Sequence, residues 1–142
     1  VLLNGENVNA YLRTEEVGNM ASVTSVNAKV REKLVELQQK LAKTKDVVMD
    51  GRDIGTVVLP NAEVKVYLTA SSLVRAQRRA LELEAKGESA DLSKIEADII
   101  ERDNRDMTRA ISPLKQAEDA TLIDSSYMTI DEVVEAILNL VK

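Results

Sequence analysis

Cysteine, histidine, tryptophan and phenylalanine are all missing from this chain of 142 residues, and tyrosine occurs only three times. Without cysteine there is no disulfide and no thiolate nucleophile. Without histidine the usual general base near neutral pH and the commonest metal ligand are gone. Chemistry therefore falls to carboxylates, guanidiniums, ammonium groups and hydroxyls. The shortage of aromatics leaves Val, Leu, Ile, Ala and Met to fill an interior, which a 44% apolar content can support. It also leaves little for stacking against nucleic-acid bases. An excess of 24 acidic over 19 basic residues argues against broad electrostatic binding to a nucleic acid polymer. Nine of the basic residues are arginines, several of them clustered, so binding of phosphate at a single site stays open. No apolar run approaches the roughly 18 residues of a membrane span, and no secretory apolar region is visible. The expectation is a soluble cytoplasmic protein, and the length suits one domain of about 100–150 residues or part of one. No repeat, low-complexity segment or Pro/Gly/Ser linker divides it.

What is present is most informative at Val47–Pro60, VVMDGRDIGTVVLP. An apolar run stops at Asp50-Gly51-Arg52-Asp53 and then resumes. Short apolar runs bounded by glycine read as buried parallel strands, and open α/β sheets bind ligands just beyond the carboxyl ends of such strands. A carboxylate near a metal and a guanidinium aimed at phosphate account for the charges there. A polar strand-to-loop turn is the plainer alternative.

Elements can be placed along the rest. VLLNGENV reads as a hairpin around Asn4-Gly5. A helix is predicted over residues 27–43, with Val30, Leu34, Leu37 and Leu41 on one stripe and Ser25 or Asn27 as N-cap. Val47–Met49 and Val64–Thr69 are predicted strands. Ser71 or Ser72 opens a helix to about Lys86, with Gly87 as its stop. Asp91 or Ser93 starts the next, running toward Arg109, and Pro113 ends that region. Thr121–Asp124 is a short strand, and Thr129-Ile130-Asp131-Glu132 is a capping box for a final helix with Val133, Ile137 and Leu140 inward. Strands alternating with helices call for an α/β fold, a thin three-stranded parallel sheet flanked by helices, like the second half of a doubly wound nucleotide-binding fold.

Two constellations of charge follow. Arg75, Arg78 and Arg79 share a helix. They form either a solvated face with ion pairs to Glu82 and Glu84 or a mobile pair closing over polyphosphate. Arg102, Asp106 and Arg109 fall at i, i+4 and i+7, on one face. That stripe is either a surface salt bridge of little value or the lining of a cleft. Ser22 and Arg31 carry no signal of their own.

Taken together, DGRDIGTVV, the Ala70–Arg79 run ASSLVRAQRR, the Glu101–Arg109 run ERDNRDMTR and SPLKQAEDA at 112–120 resemble the bacterial cytidylate kinases. These are P-loop nucleoside monophosphate kinases that move the γ-phosphate of ATP to CMP or dCMP. The likeness runs in order along the whole chain and includes Leu12–Val17 and the VREKL helix. It implies roles residue by residue. Ser22 and Arg31 match the cytidylate-binding segment, and Asp53 with Arg109 matches groups reading cytosine. Asp106 and Arg102 match the sugar and phosphate side of the acceptor site, and Arg52 the arginine gripping the acceptor phosphate. Asp50 matches the acid that helps hold Mg²⁺ through water. Arg75 and Arg79 match lid arginines, one near the donor adenine and one on the transferring phosphates, and Arg78 lies between them. The set is chemically coherent, because phosphoryl transfer needs in-line positioning and dispersed positive charge more than covalent chemistry.

One family feature is not found. No G-x-x-x-x-G-K-[ST] run occurs: none of the five glycines lie five positions apart, and Gly55 is followed by Thr56. Together with an opening that reads as a strand already under way, this leads us to expect a carboxyl-terminal portion of such an enzyme, lacking the first strand and the phosphate loop. Residues 1–26 are expected to be the remainder of the nucleoside-monophosphate-binding insertion. Residues 27–142 are expected to be core, with a short lid around 75–109. The parent activity implied is (d)CMP kinase, with this chain alone inactive. The alternatives are a non-catalytic assembly module that self-associates or joins the missing part, and a related small-molecule kinase.

Overall fold

The structure, a computed structural model, describes residues 1–12 and 14–141, with Glu15 described by its backbone alone. Arg13, inside the Leu12–Val17 motif, and Lys142 lie outside the described residues. The chain divides into two units, Val1–Val47 and Val48–Lys142.

In the first unit, strands β1 (Leu2–Leu3) and β2 (Glu6–Asn7) pair antiparallel, Leu2 opposite Asn7. Asn4 and Gly5 both take positive φ, 53° and 88°, as a two-residue turn matched to strand twist requires. Helix α1 (Glu15–Thr24) was not anticipated. Its signal is Thr14, whose Oγ1 caps the Val17 N–H at 3.4 Å. Helix α2 (Ala28–Ala42) forms as predicted, and Asn27, not Ser25, is its cap, accepting from the N–H groups of Lys29 and Val30. Its apolar stripe is open to solvent: Val30, Leu34, Leu37 and Leu41 are 40–50% exposed. Arg31, Val35, Gln38 and Ala42 are the partly shielded side.

The second unit begins with a correction. Residues 47–49 form no strand among the described residues, and Val48 is fully exposed. An apolar run supplies side chains for burial, but a strand also needs a neighbour offering N–H and C=O groups in register. The described residues provide such a neighbour only in the β1–β2 and β3–β4 ladders. The sheet therefore has two strands where three were expected. After Asp53 the backbone makes a π-helix, Ile54–Val58, closed by i→i+5 bonds from Val58 N–H to Asp53 C=O (3.2 Å) and from Leu59 N–H to Ile54 C=O (2.7 Å).

Strands β3 (Val66–Thr69) and β4 (Thr121–Asp124) pair in parallel, Val66 opposite Thr121 and Thr69 opposite Asp124. A parallel pair requires a long crossover, and here it is a helical hairpin. Helix α3 (Ser72–Ala85) is capped by the Ser71 side chain. It ends where the N–H groups of Gly87 and Glu88 return to the carbonyls of Glu84 and Leu83. Helix α4 (Leu92–Thr108) is capped by Asp91. The two helices are tied by Ser72 Oγ donating to Glu96 (2.8 Å) and by Arg75 to Asp103 (2.6 Å). The final helix α5 (Ile130–Leu138) opens with the predicted capping box; Val133 and Ile137 are partly buried on it, as is Leu140 in the turn that follows. Val58, Ala70, Ala76 and Ile123 are the buried apolar residues. No described helix is long and apolar enough to cross a membrane.

Candidate active site

Helix α4 brings most of the site together. Asp106 lies in its last turn and is 5% exposed, too buried for a solvated surface pair. Its Oδ2 accepts from Arg52 Nε at 3.0 Å, a contact spanning 54 residues, and its Oδ1 lies 3.6 Å from Arg109 Nη1. The helix stops at Arg109, whose ψ of 143° turns the chain outward. The chain then folds back: Arg109 Nε donates to the Ser112 carbonyl (2.7 Å), and Leu114 N–H to the Asp106 carbonyl (2.8 Å). Ser112 accordingly sits at φ 50°, a left-handed conformation uncommon for a residue with a side chain. Strained backbone of this kind collects at functional sites.

Arg102 lies one turn before Asp106 on the same face, and its Nε is buried with no hydrogen-bond partner among the described residues. An unsatisfied buried donor costs about 1–3 kcal/mol, and more when charged. A ligand that supplies the acceptor removes that cost. Asp53 is 8% exposed and adjoins Arg52, and its carbonyl accepts from Val57 (2.9 Å) and Val58 (3.2 Å), the first turn of the π-helix. The Arg-Asp-Arg stripe, read from spacing as either surface pair or cleft lining, is thus a half-buried charge cluster.

The other predicted residues stand apart from it. Asp50 is exposed. Arg75 donates to the Ala70 carbonyl (3.0 Å) and to Asp103 (2.6 Å). Arg78 reaches past the end of β4 to the Ser125 carbonyl (2.6 Å) and hydroxyl (3.3 Å). Arg79 pairs with Glu82 at 3.1 Å, the helix ion pair anticipated as the plain reading. Ser22 and Arg31 belong to the first unit: Ser22 is buried, with an Oγ that has no partner among the described residues, and Arg31 Nη1 donates to the Ser25 carbonyl at 3.4 Å. Sequence reasoning passed over Asp103, although it sits inside the quoted ERDNRDMTR run. It also passed over Lys65 and Asp119, which are bonded across 54 positions. No local spacing could have paired them.

A half-buried cluster of three guanidiniums and two carboxylates suits a ligand that is anionic at one end and carries both donors and acceptors at the other. The cytidylate kinase family model matches residues 1–142. The chain belongs to the cytidylate kinase family. It is 53% identical over its whole length to the cytidylate kinase of Shouchella clausii and covers 63% of that protein. It is 52% identical over 140 residues to that of Caldicellulosiruptor saccharolyticus, covering 62% of it. It is also 52% identical over 137 residues to that of Lactococcus lactis, again covering 62%. The chain thus spans a little over three-fifths of the length of these cytidylate kinases. Its two-stranded parallel sheet with flanking helices is a partial form of the nucleoside monophosphate kinase fold.

Proposed function

We propose that this chain carries the acceptor-nucleotide side of an ATP-dependent cytidylate kinase, which transfers the γ-phosphoryl group of ATP to CMP or dCMP and yields CDP or dCDP. The observation that carries the reading is Asp106, buried between Arg52 and Arg109, with Arg102, whose Nε has no acceptor among the described residues, one turn away. With its Nε held by Asp106 and its side chain still 40% exposed, Arg52 can offer the rest of its guanidinium to the acceptor phosphate. Asp53 and Arg109 supply the acceptor and donors that cytosine's amine, N3 and O2 require. Arg102 and Asp106 serve the sugar and phosphate. Arg75, Arg78 and Arg79 serve the donor, the first two from positions where they now bridge elements. The roles of Ser22 and Arg31 in cytidylate binding rest on the resemblance.

The metal is Mg²⁺. It keeps much of its water and is held by one or two carboxylates plus substrate phosphates rather than by a protein cage. The described residues hold no group of three acidic ligands, and Asp50 is an exposed single carboxylate, which fits that mode. When bound, Mg²⁺ neutralises charge on the phosphates of ATP. The substrates belong to the cytoplasm, and we place the reaction there.

The test is titration of the 142-residue chain with CMP, UMP and AMP, with Asp53→Ala as control. Saturable CMP binding that is lost in the variant is expected. Preference for UMP or a non-nucleotide would move the chain to a related kinase, and no binding at all would leave a non-catalytic module. Because the 142 residues contain no G-x-x-x-x-G-K-[ST] run, they lack the N–H cradle and lysine for the β- and γ-phosphates. Binding without ATP turnover is expected from the chain alone.

A further inference from the structure

Lys65 immediately precedes β3, and its side chain is only 6% exposed. Its ammonium bonds both oxygens of Asp119 (2.8 and 2.6 Å) and the carbonyl of Pro60. The carbonyl of Lys65 accepts from Thr121 N–H at 2.9 Å, just past Asp119. A staple joining the entries of β3 and β4 would need no more than these contacts to Asp119 and Thr121. The remaining contacts face elsewhere. Pro60 closes the segment that follows the π-helix, and the lysine stem lies across Gly55 inside it. A Cβ built on Gly55 would meet Lys65 Cδ at 3.4 Å and Cγ at 3.7 Å, ordinary contact distances, so the stem packs directly over this glycine.

A π-helix is intrinsically unfavourable and persists where its surroundings hold it. This one starts from the Asp53 carbonyl, which accepts from both Val57 and Val58. Any loosening of the π-helix therefore moves Asp53, and Arg52 beside it. Nearly burying a lysine is itself costly unless the ammonium is fully bonded. Here two of the ammonium's bonds go to Asp119 and the third goes to Pro60, at the end of the segment that follows the π-helix.

We infer that Lys65, clamped by Asp119 and Pro60, is a positioning residue that holds the Ile54–Val58 π-helix so that Asp53 and Arg52 stay in the geometry needed to read the acceptor nucleotide. The link to nucleotide rests on the function proposed above; the clamp itself does not. Two variants test it: Lys65→Met, which keeps the stem and removes the charge, and Asp119→Ala at an exposed carboxylate. Amide exchange at Val57, Val58 and Leu59 should quicken about tenfold in both while the Ser125 amide, bonded to Thr69 at the far end of the sheet, keeps its rate. The CMP dissociation constant should rise about tenfold. If the lysine acts through Asp53, Lys65→Met added to Asp53→Asn weakens CMP binding no further than Asp53→Asn alone. Unchanged exchange at residues 57–59, equal acceleration at Ser125, or fully additive losses of affinity would overturn the inference. A parent chain that binds no CMP would count against the proposed function, while the exchange rates would still decide the clamp.

Discussion

Asp106 shows how one buried carboxylate organises a site. It faces Arg52 and Arg109, whose side chains are 40% and 11% exposed, so most of its electrostatic value lies on the Arg109 side, because water screens the Arg52 contact. Replacing it by asparagine keeps the shape and leaves two guanidiniums together without their shared anion. Asp106→Asn should destabilise the chain by about 1–3 kcal/mol, read from urea unfolding, and abolish CMP binding. A variant of parental stability that still binds CMP would contradict the cluster's role. A pH dependence comes from three carboxyls outside this cluster. Hydrogen bonds hold them below their ordinary values: from Lys65 for Asp119, from Ser126 for Asp124, and from the backbone N–H and then the hydroxyl of Thr129 for Glu132. A group whose pKa is lower in the folded than in the unfolded chain adds stability that is complete above the unfolded value and lost as pH falls through the folded one. The urea midpoint should therefore stay level from about pH 7 to 5 and decline below about pH 4.5. Asp124→Asn should shallow that decline, and an acid limb identical to the parent's would count against it.

At the scale of elements, helix ends were the most legible features. Asn27, Ser71, Asp91 and Thr129 are caps where short polar side chains precede apolar periodicity, and each bonds an early N–H of its helix. Cap chemistry is local, so neighbours in sequence suffice to reveal it. Thr129→Ala removes the hydroxyl from the capping box and should cost about 1 kcal/mol, seen as a lower urea midpoint with no change in CMP affinity. A loss of affinity would mean that α5 supports the site more directly than its contacts indicate. Strands were less legible for a matching reason. VYLT and TLID form a ladder because each supplies the other with register. VVM is as apolar as either and has no partner among the described residues. The stripe on α2 makes a similar point: periodicity shows which side chains share a face, but not what covers that face.

At the scale of the whole molecule, the outcome depends on which parts of catalysis are present. The acceptor recognition proposed above draws on guanidiniums and carboxylates from the Asp50–Asp53 turn and α4, which are in the chain. Cradling the donor phosphates needs a glycine-rich loop with its lysine, and no such run occurs in the 142 residues. Incubation of the pure chain with ATP, Mg²⁺ and CMP should yield no CDP, while CMP still protects amides of α4 from exchange. CDP formation would show that phosphate binding is achieved without that loop.

Composition and order of residues were enough to exclude thiol and imidazole chemistry, to mark four capped helices, the opening hairpin and the strands β3 and β4, and to point through four ordered motifs to the cytidylate kinase family. These properties are local or additive along the chain. Tertiary structure alone decided that Arg52 meets Asp106, that Lys65 meets Asp119, that a π-helix follows Asp53, and that Val47–Met49 stays unpaired. The two ion pairs join groups 54 positions apart, the π-helix is held partly by contacts from outside it, and a strand needs a partner, so only the folded chain decides them.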